Sequence, residues 1–278
     1  MGRRGDGEMD RRFFISADIE GITDVTFWAE TEDGQMGNAE ARAQMTREVA
    51  AACEAVLEAG GKPVVRDGHG SAGNLSHLDL PDGTELMRGW ACHPGSMMAG
   101  LDGTFSGAIY IGYHAPAGSA GSPLAHTVDR EKVKWMKING RLASEFTMNS
   151  LYAACLGVPS LFLSGDETIC RMAEEEMPSI ATVAVKTCRG NSTWNLHPLE
   201  AGRQIKAGLA RQLARFGEEG WRAPAVPEEL VLEVCLTSHQ GARTALRLPG
   251  VERLDEYTLR YTAHSPAELN TAFELIKG

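Results

Sequence analysis

Two carboxylates stand two residues apart in Ser16-Ala17-Asp18-Ile19-Glu20-Gly21, directly after the apolar run at residues 13–17. If extended geometry continues past the run, Asp18 and Glu20 fall on the same side of the chain. Two acids at the end of a buried strand repel each other, and a divalent cation removes that repulsion by taking their oxygens as ligands. A solvated strand end turning at Gly21 accounts for the same residues, so the pair decides nothing alone. Asp67-Gly68-His69-Gly70 follows a second apolar run, at residues 63–66. The flanking glycines let the backbone turn sharply and leave the imidazole free. Imidazole is a favoured zinc ligand, and Asp67 is placed to orient it. A third run, residues 107–112, delivers His114 at its end. His126 comes twelve residues later, beyond a stretch rich in Gly, Ser, Ala and Pro whose small side chains suit a substrate-facing loop. Glu145 falls in the first turn of a helix that begins after the turn signal Asn139-Gly140. There Ser144 can cap and the helix dipole favours an acid. Asn149, four residues on, shares the face of Glu145.

Each of these features also has an ordinary structural explanation. Their conjunction is more informative. Several strand ends of one sheet present oxygen or nitrogen donors, and none presents sulfur. Asp18, Glu20, His69, His114 and Glu145 can together serve two zinc-like ions if one carboxylate bridges.

The framework around these residues has an alternating rhythm. Strands are expected at 13–17, 63–66, 107–112, 133–138, 158–163 and 180–187, and helices at 39–59, 143–156, 167–177 and 198–216. This predicts an α/β fold, a layered and mostly parallel sheet with flanking helices, over residues 12–217. Residues 1–11 read as a disordered tail. After a Pro- and Gly-bearing linker, residues 218–278 read strand, helix, strand, helix. That is a small α+β domain covering the site or mediating assembly.

The 278 residues are 43% hydrophobic, enough for a sizeable core, and carry a formal net charge of -10. That balance argues against a nucleic-acid surface, which needs clustered Lys and Arg. It is compatible with cationic ligands. No run approaches the ~18 apolar residues of a membrane span. None of the six cysteines forms a CxxC pair, and no secretion signal is visible, so reduced thiols and a cytoplasmic location are expected. Nucleophilic serine chemistry lacks its G-x-S-x-G elbow, and the P-loop and dinucleotide fingerprints are absent.

The ordered set Ser16-Ala-Asp-Ile-Glu-Gly21, Asp67-Gly-His69, Gly112-Tyr-His114-Ala, His126 and Ser144-Glu-Phe-Thr-Met-Asn149 resembles the bacterial D-aminopeptidase family, peptidase family M55. The likeness continues through Gly157–Asp166 and Ala184-Val-Lys186, and more loosely to the end of the chain. The resemblance implies a binuclear metallo-aminopeptidase that removes N-terminal residues, of D configuration, from short peptides or aminoacyl amides. It implies that Asp18, Glu20, His69, His114 and Glu145 hold two zinc ions with Asp18 bridging. It further implies that His126 is the unliganded catalytic histidine and that the subunits form a ring-like homo-oligomer, such as a decamer, enclosing the active sites. Read without the resemblance, the residues also allow another bimetallic amidohydrolase or phosphoesterase, or a metal-binding protein without catalysis. The G-N-H-[DE] motif of calcineurin-like phosphoesterases is absent.

Overall fold

The computed structural model describes residues 11–215 and 222–278. Residues 1–10 of the expected tail and the first part of the expected linker lie outside the described residues. In chain order the strands are β1 (Arg12–Ala17), β2 (Lys62–Asp67), β3 (Glu85–Met87), β4 (Gly107–Tyr113), β5 (Val133–Ile138), β6 (Arg141–Leu142), β7 (Ser160–Asp166), β8 (Ala181–Arg189), β9 (Ser192–Asn195), β10 (Leu230–Leu236), β11 (Glu252–Arg253) and β12 (Thr258–Ala263). The helices are α1 (Trp28–Thr31), α2 (Asn38–Glu58), α3 (Glu145–Cys155), α4 (Glu167–Glu176), α5 (Pro198–Ala214), α6 (His239–Ala245) and α7 (Pro266–Lys277).

The main sheet has seven strands in the order β3-β2-β1-β4-β7-β8-β9. Every neighbouring pair is parallel except β8 with β9 at one edge. The central strands β1, β4 and β7 read as near-continuous apolar runs because both of their faces are covered. On one face, Phe13, Ile15 and Ile109 pack with Met45, Val49 and Cys53 of α2 and with Ile205 and Leu209 of α5. On the other, Phe14 and Tyr110 pack with Phe146 of α3 and Ile169 of α4. Removing each of these large side chains from water contributes about 1.5–3 kcal/mol.

After β1 the chain builds outward through β2 and β3, then returns to place β4 on the opposite side of β1. The carboxyl ends of β1 and β4 therefore flank a topological switch point, where open α/β sheets bind their ligands. The two strand ends are laced together there. Asp18 N donates to Ile111 O, and Gly21 N donates to Gly112 O, each at 2.8 Å. A Cβ on Gly21 would lie 1.8 Å from Tyr113 O, so only glycine permits the approach. Gly112 has φ +77° and would set a Cβ 2.2 Å from Asp18 O.

A second sheet, β11-β12-β10-β5-β6, is antiparallel throughout. It packs with α6 and α7 around Met136, Leu232, Leu259 and Phe273. Two of its strands come from the middle of the chain. β5 was expected among the alternating elements of the α/β layer, but it pairs with β10 instead. The physical reason is in its composition. Lys134 and Lys137 within six residues suit a sheet with one wet face, not a strand buried on both sides. The second sheet therefore draws on both sides of the boundary expected at residues 217/218.

Candidate metal centre

Each expected donor is carried to the switch point by the element that precedes it. Asp18 and Glu20 follow β1, His69 follows β2, and His114 follows β4. Glu145 is the first residue of α3, capped by Ser144, whose side chain accepts from Thr147 N. His126 arrives from the loop between β4 and β5. The donor atoms fall into two groups, Asp18 with Glu20 and His69, and His114 with His126 and Glu145. Within each group the atoms lie within 4.8 Å of one another. Asp18 joins the two. Its Oδ1 lies 3.2 Å from His69 Nδ1, and its Oδ2 lies 3.4 Å from His114 Nε2. Glu20 Oε2 is 3.1 Å from His69 Nδ1, and Glu145 Oε1 is 3.6 Å from His114 Nε2.

All three imidazoles are oriented by backbone carbonyls. His69 Nε2–H donates to Thr31 O at 2.7 Å, His114 Nδ1–H to Ala115 O at 3.0 Å, and His126 Nδ1–H to Leu124 O at 3.0 Å. In its neutral form each ring therefore turns a lone pair toward the carboxylates, as a metal ligand or a general base requires. The His126 ring stacks on His114 with centroids 4.3 Å apart and meets Trp28 edge-on at 5.3 Å. Its Nε2 is 3.7 Å from Glu145 Oε1 and 4.0 Å from Glu20 Oε1.

Among the described residues, three enclosed polar atoms of this cluster find no hydrogen-bond partner: Asp18 Oδ2, Glu20 Oε2 and His114 Nε2. Leaving even one such group unsatisfied costs about 1–3 kcal/mol. Three in one place fit a cation that all of them face. The spacing fits as well. Tetrahedral zinc with bonds of about 2.0–2.1 Å sets its ligand atoms about 3.3 Å apart, and the four carboxylate–imidazole distances above run from 3.1 to 3.6 Å. The oxygen and nitrogen donor set suits zinc, and thiolates are absent from it.

The electrostatics point the same way. Burial opposes ionisation of Asp18, but His114 and His69 outweigh it and hold this carboxyl well below the usual range. Burial likewise opposes charge on the two imidazoles. The field of Glu20 and Asp18 nevertheless pushes His69 well above its ordinary value, and that of Glu145 and Asp18 does the same for His114. The site is built to draw positive charge into its centre.

Asp18, Glu20, His69, His126 and Glu145 line the floor of a cavity of about 480 Å³. Its rim carries Glu32, Asp33, Asp129 and Glu131, with Arg130 the single lysine or arginine in the lining. Arg130 contacts Glu32 at 2.5 Å and Glu131 at 3.1 Å, and stands 4.3 Å over the Trp28 ring.

Two further expected residues support the site at one remove. The Asp67 carboxylate accepts from Asn74 N, Asn74 Nδ2 and Leu75 N at 2.6–2.9 Å. Asn74 Nδ2 in turn donates to His69 O at 2.7 Å. Asp67 thus shapes the loop that carries His69, while Thr31 O orients the ring. Asn149 Nδ2 donates to Tyr113 OH at 2.8 Å, and that hydroxyl also bonds Ser16 Oγ at 2.8 Å.

Other supports have no role assigned from the sequence, although the family likeness runs through Asp166 and Lys186. Lys186, on β8 and fully buried, donates to the carbonyls of Glu20, Ile22 and Val25. Asp166, the cap of α4, accepts from Ala115 N at 2.7 Å beside His114. Val128 donates its N–H to Glu145 Oε1 at 2.7 Å while held at φ +63°. A cation amid the apolar strand Ala181–Arg189 was a further signal that could have marked Lys186. The Thr31 carbonyl belongs to a one-turn helix that no periodicity announces.

A mostly parallel α/β sheet whose strand ends gather carboxylates and imidazoles on the floor of an acidic pocket has the architecture of a metal-dependent hydrolase. Comparison with known proteins narrows the class. The family model for D-aminopeptidases of peptidase family M55 matches residues 11–275, so the chain belongs to that family of metallopeptidases. A D-aminopeptidase of Bacillus subtilis (strain 168) is 30% identical over 243 residues, covering 87% of each chain. The solved structure of the Zn-dependent D-aminopeptidase DppA from Bacillus subtilis, described as a self-compartmentalizing protease, superposes with a TM-score of 0.88. The match is at 28% identity and covers 95% of this chain and 96% of that one. No described helix is long and apolar enough to cross a membrane.

Proposed function

We propose that this protein releases N-terminal residues of D configuration from short peptides or aminoacyl amides, using two zinc ions held by Asp18, Glu20, His69, His114 and Glu145. The observation that carries the reading is the Asp18 carboxylate, which turns one oxygen to His69 and the other to His114. Asp18 would then be shared between the ions, Glu20 and His69 helping to hold one and His114 and Glu145 the other. The zinc dependence stated for the Bacillus subtilis relative supports the choice of metal.

When bound, such ions supply Lewis acidity to a carbonyl and lower the pKa of a water toward neutrality. The residues of the chain do the rest. His126, its Nδ1–H fixed by Leu124 O, accepts and returns a proton at Nε2. The four rim carboxylates, against one arginine, favour a substrate that carries an ammonium group, as a free N-terminus does. Trp28 and the stacked His114 hold the His126 ring in one orientation.

Assembly into a ring-like homo-oligomer, a decamer being the expected size, belongs to the same reading and draws on the description of the relative. A cytoplasmic location agrees with six free cysteines. The test is hydrolysis of D- and L-aminoacyl amides and dipeptides with and without a chelator. Chelator-sensitive release of D residues is expected. Tight metal binding with no chelator-sensitive hydrolysis would favour a binding protein instead.

A further inference from the structure

A second cavity, of about 530 Å³, adjoins the metal pocket, and Trp90, Ser96 and Val128 line both. We infer that this cavity is the subsite for the residue after the scissile bond, and that it selects an apolar side chain there. The inference rests on the aminopeptidase reading and specifies the leaving half of its substrate.

The position is set by Val128. Its N–H holds Glu145 Oε1, so the wall shared by the two cavities begins at the half of the cluster formed by His114, His126 and Glu145. A peptide whose scissile carbonyl lies over the cluster has two ways to extend. One is the acidic rim at Asp33 and Asp129, which suits the ammonium end. The other is over Val128 into the second cavity, which receives the leaving residue. Its volume lies within the range of about 300–1,000 Å³ typical of small-ligand sites.

The chemistry of the wall defines the occupant. Trp90, Pro94, Val128 and Leu275 give it a largely apolar surface. Its two residues of full charge, Glu274 and Lys277, pair with each other at 2.9 Å and so present little net charge to a ligand. The walls are braced, since Asn270 Nδ2 of α7 donates to Pro94 O at 2.9 Å and ties the helix to the opposite loop. Backbone strain concentrates here as well. Six described non-glycine residues have positive φ, and three of them, Cys92 at 49°, Ser96 at 47° and Val128 at 63°, line this one cavity. Such conformations are strained and gather at ligand clamps.

Thr271 is an exposed α7 residue of this cavity that does not line the metal pocket. Thr271→Trp would fill the cavity from its outer side, and Leu275→Trp provides a second obstruction one helical turn away. The substrates are D-alanine amide, D-alanyl-glycine and D-alanyl-leucine, with zinc content measured in parallel. The wild type is expected to favour the leucine dipeptide over the glycine dipeptide by about tenfold or more in kcat/KM, the worth of one buried aliphatic side chain. Both variants should lose that preference, and Thr271→Trp should still hydrolyse the amide within about twofold of wild type. Equal turnover of the two dipeptides by wild type, or equal losses on amide and dipeptide in variants with full zinc, would overturn the subsite and leave the aminopeptidase reading intact. If the wild type cleaves none of the three, the aminopeptidase reading fails and the subsite falls with it.

Discussion

Lys186 donates from Nζ to the carbonyl of Glu20 at 2.5 Å, across 166 positions of sequence. The same ammonium bonds Ile22 O at 3.1 Å and Val25 O at 2.5 Å, so one buried cation shapes the turn that carries the acidic pair. Burial lowers its pKa, and Asp166, Glu48 and Glu20 oppose that shift. Lys186→Met removes the donor shared by these three carbonyls and should destabilise the fold by about 3 kcal/mol. Zinc retention should fall with it, because Glu20 loses its backbone support. Chemical denaturation and metal analysis read the two effects. An unchanged midpoint with full zinc would show that the turn holds itself.

Stability should depend on pH through two acids outside the carboxylate–histidine cluster, Glu48 buried and Glu176 half-buried. Burial pushes Glu48 up to about 7, opposed by bonds from Thr23 N and Gln44 and by the field of Lys186. Burial likewise pushes Glu176 up to about 7, opposed by the Thr147 hydroxyl and the field of Arg141. Both folded values exceed the unfolded carboxyl value of about 4.3, so the folded state binds more protons between the two. Stability from these groups is therefore fully present below about pH 4 and is lost as pH rises to about 7, by about 4 kcal/mol for each. Glu48→Gln should remove about half of this slope and raise the melting temperature at pH 8 relative to wild type. A slope unaltered by Glu48→Gln would mean that folding does not shift the pKa of Glu48.

His126→Ala separates proton transfer from metal holding. The ring lies near enough to His114 and Glu145 to be grouped with them as a donor. Its proposed role is instead to move protons at Nε2. The variant should lose about 10²–10⁴-fold in kcat while keeping its full zinc content. Full activity would refute the role, and loss of one zinc equivalent would make His126 a ligand.

The features legible in the sequence share a physical cause. Asp18, His69 and His114 each come after a run of apolar residues, and a strand buried on both faces must release its chain, and its first polar side chains, at the sheet's rim. Periodicity located α2 and α5 to within two residues because their buried stripes are long. The pairing of β5 was not legible, since strand composition does not name a partner a hundred residues away. The role of Asp67 was half legible. A buried acid before a histidine suggested a bond to the ring, but Asp67 acts through Asn74 on the loop. The orienting groups of the imidazoles are backbone carbonyls, which every residue type possesses, so no residue identity could announce Thr31 or Leu124.

In the proposed site one carboxylate, Asp18, stands between two cations. Zinc counted per chain in wild type and in His69→Ala by native mass spectrometry tests it most directly. Two zinc ions are expected in the wild type and no more than one in the variant, which loses a donor from one side of Asp18 only. A wild-type chain that binds a single ion, or a variant that still holds two, would contradict it.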